Sequence, residues 1–480
     1  MNTILIILTL IVCGAVLYLV PGYGAGALAF CVVVSVPTVI VMIRSHEDRQ
    51  FLMRLFILAL LVRIGIAFII FSAGLQEFFG GDANTYHLYG ESLQQSWHGD
   101  DFHGGRYAQF IQSGAGAWGM LYVVAAVYEV LGANMFAIQL INASVGASTA
   151  IVVYKVTQML FGNSRVSKVA ALLVAFFPSL ILWSSQALKD ALIIMALGLC
   201  ILATLKLMQK ISFSYLLVLA ICLSALLSLR FYIFYMMAAA VGGSFVIGLK
   251  SANPSNFIHR FVAIAVIGLV FTWFGVIRFA AVQFEKYGNL QMVQMSRMDQ
   301  ARNADSGFAK DVDVQTTEGA LTVIPIGLVY LLFAPFPWQL ASLRQSIALP
   351  EMIVWWAAFP LLVLGWWYAV RHRLRQVSPI VLFTTMLTLA YSVFQGNVGT
   401  AYRQRSQLLV FYFIFVAVGA VILKEKAEDR TREAKRAKQE LADLVANFTT
   451  DECPVWFFRH LAFAFDNFSH FVLYFFEQIF

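Results

Sequence analysis

Two acidic side chains stand beside long apolar runs, where a carboxylate is suited to proton transfer. Asp82 follows Gly80-Gly81 just beyond one apolar run, and Asp190 follows Lys189 between two others. A carboxylate at the edge of a lipid phase is partly desolvated, which suits it to accept a proton. Two simpler interpretations stay open: Asp82 is a helix N-cap, and Lys189 with Asp190 is a self-neutralising pair.

Further polar side chains surround these acids along the chain. Tyr86 and His87 follow Asp82 in the same polar stretch, and His103 comes shortly after it. Together with Lys189 and Asp190, they are candidates for lining a site and positioning an acceptor.

Three arginines are candidates for binding a phosphate. Arg403 and Arg405 lie in a polar turn after residues 379–395, and Arg230 ends another apolar run. Arginine is the residue for bidentate phosphate recognition. A spacing of two residues points Arg403 and Arg405 to different faces of a helix, so only one is expected to face a site. Anchoring to lipid headgroups is the alternative for all three.

Arg63 is unusual because it lies well inside the apolar run 51–73. A charge at that depth is costly unless the side chain reaches the interface or finds a partner. The sequence leaves open whether Arg63 pairs, extends to the interface or belongs to a helix that is shifted outward.

The elements that carry these residues are membrane helices. Hydrophobic residues make up 60% of the 480 residues, charged residues only 12%, and the mean hydropathy is +0.77, whereas soluble domains carry about 25% charged residues. In lipid only helices and closed barrels satisfy the backbone, and these runs have helix length. The net charge of +7 is spread over short loops, which argues against a nucleic-acid surface. The five cysteines show no metal or disulfide spacing.

We predict an all-α protein with about twelve transmembrane helices. The apolar segments are 3–20, 26–43, 51–73, 134–160, 167–185, 190–208, 213–229, 231–249, 260–281, 353–370, 379–395 and 407–423. With both termini in the cytoplasm, and the first segment retained as a helix, the main clusters of Lys and Arg fall on the cytoplasmic side. Two large outer loops then result, 74–133 and 282–352, whose apolar stretches 116–132 and 319–338 are interpreted as interfacial or re-entrant helices.

The chain is expected to divide near its end. Residues 1–423 form the transmembrane domain, and residues 424–480 form a cytoplasmic segment. Its first part, 424–447, has opposite charges at helical spacing. Its last part, 455–480, is rich in Phe and suits an amphipathic interfacial helix better than a span.

The pattern resembles the GT-C superfamily of polytopic glycosyltransferases. The resemblance is carried by Asp82 and Tyr86 in the form Asp-x-x-x-Tyr, by the stretch from Leu121 to Phe161-Gly162, and by Ala175-Phe176-Phe177-Pro178-Ser179 followed by Asp190. It covers roughly residues 64–210. Members use sugars linked to a lipid phosphate, so the resemblance implies such a donor. The common Asp-Glu or Asp-x-Asp pair is here Asp82-Ala83-Asn84, and a divalent metal, with Asp82 and Asp190 as candidate ligands, is left open.

The resemblance leads to a first hypothesis of function. The chain is an inverting glycosyltransferase at the periplasmic face of a bacterial inner membrane, moving sugar from a polyprenyl-phosphate donor to a glycan, lipid or protein acceptor. Asp82 is the base, and Arg403, Arg405 or Arg230 holds the leaving phosphate.

Two other functions remain. The sequence Arg403-Gln404-Arg405 and the loop 282–352 are also similar to O-antigen or exopolysaccharide polymerases and ligases, which use diphosphate-linked glycans. A lipid or polysaccharide transporter is the third hypothesis, although transporters often show internal repeats and none is visible in this sequence.

Overall fold

The computed structural model describes residues 3–45, 48–112, 118–249, 289–302, 306–310, 312–340 and 342–448, with the isolated residues Gly268, Arg278 and Val282. The described helices, numbered in chain order, are α1 (Thr3–Leu19), α2 (Gly24–Ile43), α3 (Arg49–Ser72), α4 (Gln76–Phe79), α5 (Asp82–Trp97), α6 (Asp101–Gln112), α7 (Trp118–Leu131), α8 (Met135–Phe161), α9 (Ser164–Phe176), α10 (Pro178–Ser184), α11 (Asp190–Gln209), α12 (Phe213–Leu229), α13 (Phe231–Leu249), α14 (Leu290–Arg302), α15 (Thr317–Phe333), α16 (Leu343–Phe394) and α17 (Val398–Phe448). Within these ranges there is no β-strand, only an isolated bridge. The all-α fold class is therefore confirmed.

The described helices are those of a multi-pass membrane protein. Six are long and apolar enough to cross a membrane, or seven if α9 and α10 form one span, and five shorter apolar helices accompany them. The predicted span 260–281 lies outside the described residues, so the number twelve stays a prediction. The apolar stretches expected at the interface are α7 and α15, and their interfacial position also stays a prediction.

Helix α8 forms the core. Nearly all of its side chains are buried, and it packs against α2, α3, α9 and α11. Asn134 caps its first turn by accepting a hydrogen bond from the Ala137 amide at 2.9 Å, and Gly162 ends it in the left-handed conformation that favours glycine. Hydroxyl pairs, which hold helices together in lipid, join α2 to α8; one links Ser35 to Ser144 at 2.8 Å.

The predicted span 167–185 is broken in two. Helices α9 and α10 are bent by 55° at Phe177, because Pro178 has no amide hydrogen to continue the helix and suits the first turn of a new one. The turn after α10 leads directly to Asp190, the first residue of α11. The break thus delivers an acidic side chain to the end of a buried helix.

Arg63 stabilises this break. It is 1% exposed and donates to the carbonyls of Ala175 at 2.7 Å and Val174 at 3.3 Å, which lie in the last turn of α9. It also donates to the Ser184 hydroxyl of α10 at 2.9 Å. The final carbonyls of a helix lack intrahelical partners. Of the three possibilities left by the sequence, Arg63 pairs within the protein.

Replacing Arg63 with Leu should therefore destabilise the protein. The change leaves buried carbonyls without a donor, which costs about 3 kcal/mol in total. Thermal unfolding in detergent measures the loss, and Arg371→Leu, an exposed arginine, is the control. If both variants had the same midpoint temperature of unfolding, this role of Arg63 would be contradicted.

Helices α16 and α17 approach each other closely. A Cβ on Gly365 would lie 1.9 Å from the Phe415 carbonyl oxygen, and one on Gly419 would lie 2.1 Å from that of Leu361, so only glycine permits this contact. Helix α16 contains the predicted segment 353–370 and all but the last residue of 379–395, and Arg373 between them has non-helical dihedral angles.

The turn between α16 and α17 is held by the second large loop. Gly307 and Asn397 form the isolated bridge. The Phe308 amide donates to the Gly396 carbonyl at 2.9 Å, and the Val398 amide donates to the Ser306 carbonyl at 3.2 Å. These contacts fix the start of α17, the helix that carries the predicted arginines.

The chain divides into two compact units, residues 1–419 and 420–480. In the second unit the described side chains from 428 to 444 are mostly exposed, and Asp429 pairs with Arg432 at 3.8 Å. The expected tail 455–480 lies outside the described residues, and the cytoplasmic position of residues 424–480 stays a prediction.

Candidate functional site

A cavity of about 750 Å³ lies among α3, α10 and the first turns of α5, α16 and α17. Three of the predicted residues line it: Asp82, Arg230 and Arg403. Its apolar lining includes Val62, Ile66, Phe79, Ile181, Leu182 and Ile347. The cavity therefore joins a charged group of side chains to an apolar wall.

Arg403 links the two predicted acids. Its Nη1 donates to Asp82 Oδ2 at 2.7 Å, while its Nε and Nη2 donate to Asp190 Oδ2 at 2.9 and 2.6 Å. The two carboxylates differ in environment, since the Asp82 side chain is 51% exposed and that of Asp190 is 0% exposed. Asp82 is thus half exposed and ion-paired, not desolvated as its place beside an apolar run suggested.

We call four side chains the acid–arginine cluster: Asp82, Asp190, Arg230 and Arg403. Asp190 is its fully buried carboxylate. Gln407 donates to Asp190 Oδ1 at 3.4 Å. The turn before Asp190 is held by Asn142 of α8, whose Nδ2 donates to the carbonyls of Gln186 at 2.7 Å and Leu188 at 2.6 Å. The core helix thereby fixes the position of the cluster. The alternative of a self-contained Lys189–Asp190 pair does not apply, because Asp190 pairs with Arg403.

Arg230 lines the cavity and has a buried donor without an acceptor among the described residues. It follows α12, its side chain is 9% exposed, and its Nη2 lies 4.0 Å from Asp190 Oδ1. Its Nη1 is buried and has no hydrogen-bond partner among the described residues. The guanidinium also lies over the Tyr232 ring, 5.8 Å from its centroid. A buried cationic donor without an acceptor is a natural place for an anionic ligand.

Arg405 does not reach the cavity, which corrects its assignment as a phosphate ligand. It is 1% exposed, and its Nη1 donates to the carbonyls of Ala334 at 3.0 Å and Leu332 at 3.1 Å. Two residues along a helix turn the side chain away from Arg403. Arg405 instead ties α17 to the end of α15.

Tyr86 and Lys189 lie together near the cluster. Tyr86 is 6% exposed, and the Lys189 ammonium lies 5.9 Å from the centroid of its ring. Burial raises the pKa of Tyr86. Burial first, and the charge of Arg230 second, lower the pKa of Lys189 to about 7. Lys189 therefore changes charge near neutral pH beside the cluster.

Binding of an anionic lipid should follow the charge of Lys189. Below pH 7 the amine is protonated and adds a positive charge, and above it that charge is lost. We expect the affinity for an anionic lipid phosphodiester, whose own charge does not change in this range, to fall as pH rises through about 7. For the Lys189→Met variant in nanodiscs, the affinity measured as a function of pH should show no such change near pH 7. An unchanged inflection in that variant would contradict the assignment.

The two histidines do not line the cavity, contrary to their prediction. His87 Nδ1 lies 2.6 Å from the Tyr128 hydroxyl, and burial lowers the pKa of His87. His103 Nδ1 lies 2.8 Å from Asp100 Oδ2. Both side chains hold parts of the first large loop together, because helices α5 and α6 turn them toward neighbouring residues.

The acid–arginine cluster does not fit a divalent metal. The Arg403 guanidinium lies between Asp82 and Asp190 and donates to both, so a cation of the protein already occupies the position between them. Within the described ranges no three His, Cys, Asp or Glu side chains form a group that could hold a metal.

The sequence did not point to two other polar residues of the cavity, Glu351 and Tyr402. They line it, and the Tyr402 hydroxyl donates to Glu351 Oε2 at 2.8 Å. Glu351 is the first acidic residue after Glu318 and precedes a long apolar run. An isolated acid at the edge of a membrane helix is the signal that could have found it.

A comparison with protein families finds a match over part of the chain. Residues 117–274 of the 480 match the family described as dolichyl-phosphate-mannose-protein mannosyltransferase. The match confirms the resemblance found in the sequence. Over these residues the chain is similar to membrane glycosyltransferases of the GT-C type. No curated protein matches the chain significantly.

Two solved structures are similar over much of the chain. One is the archaeal oligosaccharyltransferase AglB from Archaeoglobus fulgidus in complex with an inhibitory peptide and a dolichol-phosphate, with 12% identity, a TM-score of 0.45, and coverage of 82% of this chain and 52% of that chain. The other is the Archaeoglobus fulgidus oligosaccharyltransferase in its apo form, with 14% identity, a TM-score of 0.45, and coverage of 82% and 53%. The chain thus spans about half the length of each of these enzymes.

Proposed function

We propose that the protein transfers a sugar from a polyprenyl-phosphate donor to a hydroxyl-bearing acceptor, with inversion at the anomeric carbon. The acceptor is a glycan, a lipid or a protein, and the reaction takes place at the periplasmic face of a bacterial inner membrane. The observation that carries the proposal is the acid–arginine cluster at a cavity with an apolar wall.

The donor phosphate binds to Arg230 and Arg403. Arg230 supports this role because it lines the cavity and its buried Nη1 has no acceptor among the described residues. The polyprenyl chain lies along the apolar lining, where Val62 is 39% and Ile347 is 54% exposed. A cavity that combines an apolar lining with convergent polar groups is typical of ligand sites.

The reaction is a single displacement. An Asp82 carboxylate oxygen accepts the proton of the acceptor hydroxyl, and the acceptor oxygen attacks the anomeric carbon from the face opposite the phosphate. The bond between the anomeric carbon and the phosphate oxygen breaks, and polyprenyl phosphate leaves with the bonding electrons. Arg230 and Arg403 neutralise the charge that develops on that phosphate. Asp190 takes no part in proton transfer and holds Arg403 in place.

A transfer assay tests this function. Protein in nanodiscs is incubated with undecaprenyl-phosphate-linked sugars carrying labelled mannose, glucose, galactose or arabinose, and with a membrane lipid extract as acceptor. We expect a labelled product of inverted configuration and release of undecaprenyl phosphate. Release of undecaprenyl diphosphate from a diphosphate-linked glycan would replace the proposal with the polymerase or ligase. Movement of intact donor across the bilayer without release would replace it with the transporter.

A further inference from the structure

A second polar region of the same cavity contains a buried carboxylate that the proposed reaction does not use. Glu351 lines the cavity and is 4% exposed. It lies on the first turns of α16, and Ser342, Gln345 and Ala348 line the cavity at the same three-residue spacing. The first turns of α16, together with the start of α17, therefore form a wall of the cavity.

The carboxylate is only half satisfied. Glu351 Oε2 accepts a hydrogen bond from the Tyr402 hydroxyl at 2.8 Å, whereas Oε1 is buried without a hydrogen-bond partner among the described residues. Ser179 lies beside the carboxylate, and its hydroxyl and amide both favour the ionised form, although the Ser179 hydroxyl has no partner within normal hydrogen-bond geometry. A buried acceptor without a donor costs free energy, and native proteins rarely leave one without a reason.

Neighbouring cations do not supply the missing donor. The nearby Arg405 uses its Nη1 on the carbonyls of Leu332 and Ala334. No ion pair within 4.0 Å joins Glu351 to a lysine or arginine of the described residues. An ionised carboxylate is acceptor-only, so a ligand that completes this site must bring hydrogen-bond donors.

Aromatic side chains lie next to this carboxylate. Trp183 and Tyr402 both line the cavity, with ring centroids 6.3 Å apart in an edge-to-face arrangement. The Arg403 guanidinium lies 5.7 Å from the centroid of the Trp183 ring. The two rings thus connect the region of Glu351 to the acid–arginine cluster, and a ligand bound at the cluster is within reach of both.

We propose that Glu351, positioned by Tyr402, binds hydroxyl groups of the sugar carried by the donor. This inference rests on the proposed function, because it assumes a sugar whose phosphate binds at Arg230 and Arg403. Glu351 Oε1 accepts a hydrogen bond from a sugar hydroxyl, and the apolar faces of Trp183 and Tyr402 pack against the ring. Glu351 thereby helps to select a sugar-bearing lipid over the bare lipid phosphate that leaves after transfer.

The experiment compares two classes of ligand on the full-length protein in nanodiscs. The first is undecaprenyl phosphate, and the second is undecaprenyl phosphate carrying mannose, glucose, galactose or arabinose. For Glu351→Gln, which keeps the size of the side chain, we expect the affinity for the preferred sugar-bearing lipid to fall about tenfold, the factor of one hydrogen bond to a charged group. The affinity for undecaprenyl phosphate should be unchanged. Glu318→Gln, an exposed glutamate in the first turn of α15, is the matched control and should leave both affinities unchanged.

Each outcome decides the proposal. Equal loss of both ligands in Glu351→Gln, or no loss of either, overturns it and leaves Glu351 as a structural tie between α16 and α17. If Glu351→Gln does not fold, Tyr402→Phe removes the donor to Oε2 and should selectively weaken the sugar-bearing lipid. Failure of the unchanged protein to bind any of these lipids overturns the proposed function as well. Binding of undecaprenyl phosphate alone, without preference for any sugar, overturns only the role of Glu351.

Discussion

Replacing Asp82 with Asn should abolish sugar transfer and at the same time tighten the binding of undecaprenyl phosphate. Transfer should fall about a thousandfold, the usual contribution of a positioned general base. Binding should tighten about tenfold, because a charge-assisted hydrogen bond no longer competes with the phosphate. The reason lies in the 2.7 Å contact between Asp82 Oδ2 and Arg403 Nη1, since Asp82 occupies a donor of the arginine that we propose to bind the phosphate.

This pair of effects separates a base from a merely structural acid. Transfer is measured with labelled donor, and binding is measured separately in nanodiscs. Asp101→Asn provides the control, since Asp101 is exposed at the start of α6 in the same loop. Near-normal transfer by Asp82→Asn would rule out Asp82 as the base. Weaker binding of undecaprenyl phosphate would show that Asp82 does not compete for Arg403.

Replacing Asp190 with Asn should have a different and broader effect. Asp190 is completely buried and accepts two hydrogen bonds from Arg403. Its replacement leaves Arg403 with only the half-exposed Asp82 as a direct ion-pair partner, and breaking a buried ion pair costs about 3 kcal/mol or more. Arg403 also loses its anchor, so both transfer and the binding of undecaprenyl phosphate should fall. Binding of undecaprenyl phosphate should therefore tighten in Asp82→Asn and weaken in Asp190→Asn. The two effects differ because the half-exposed Asp82 competes for Arg403, whereas the buried Asp190 holds it in position.

Thermal unfolding and the two assays above check this expectation. The control is Asp429→Asn, which removes an exposed carboxylate from an ion pair whose side chains are 67% and 69% exposed. Exposed pairs contribute little, about 0–1 kcal/mol, so this variant should behave like the unchanged protein. A stability of Asp190→Asn equal to that of the control would mean that the buried pair is not what holds the cluster.

Local patterns were sufficient for the parts of the site that depend on neighbours in sequence. The places of Asp82 and Asp190 beside apolar runs marked them as candidates. The spacing of Arg403 and Arg405 showed that only one would face a site, because successive residues of a helix point in directions set by its geometry. Which of the two faces the cavity depends on the packing of α17 against α15 and α16. That packing joins segments far apart in the chain, and no local spacing encodes it.

For the two histidines, closeness in sequence to Asp82 gave a wrong prediction. His87 and His103 have the chemistry of a catalytic site and lie close in sequence to Asp82. Each instead contacts a nearby side chain, Tyr128 or Asp100. Proximity in sequence indicates only the loop in which a residue lies, whereas the direction of its side chain follows from the orientation of α5 and α6. Glu351 shows that distance in sequence is no guide either, since it is far from Asp82 in the chain and yet lines the same cavity.

By itself, the sequence determined that this is an all-α membrane protein and that Asp82, Asp190 and an arginine near residue 403 are candidates for one site. Hydropathy and charge determine this, because lipid excludes unpaired backbone and most charges from the spans. Only the tertiary structure decided how these charges pair. It showed that the exposed Asp82 and the buried Asp190 share Arg403, and that Arg63 stabilises the break before Asp190. It also showed that Glu351 completes the cavity. These pairings depend on contacts between helices that lie far apart in the chain, and side-chain packing sets them.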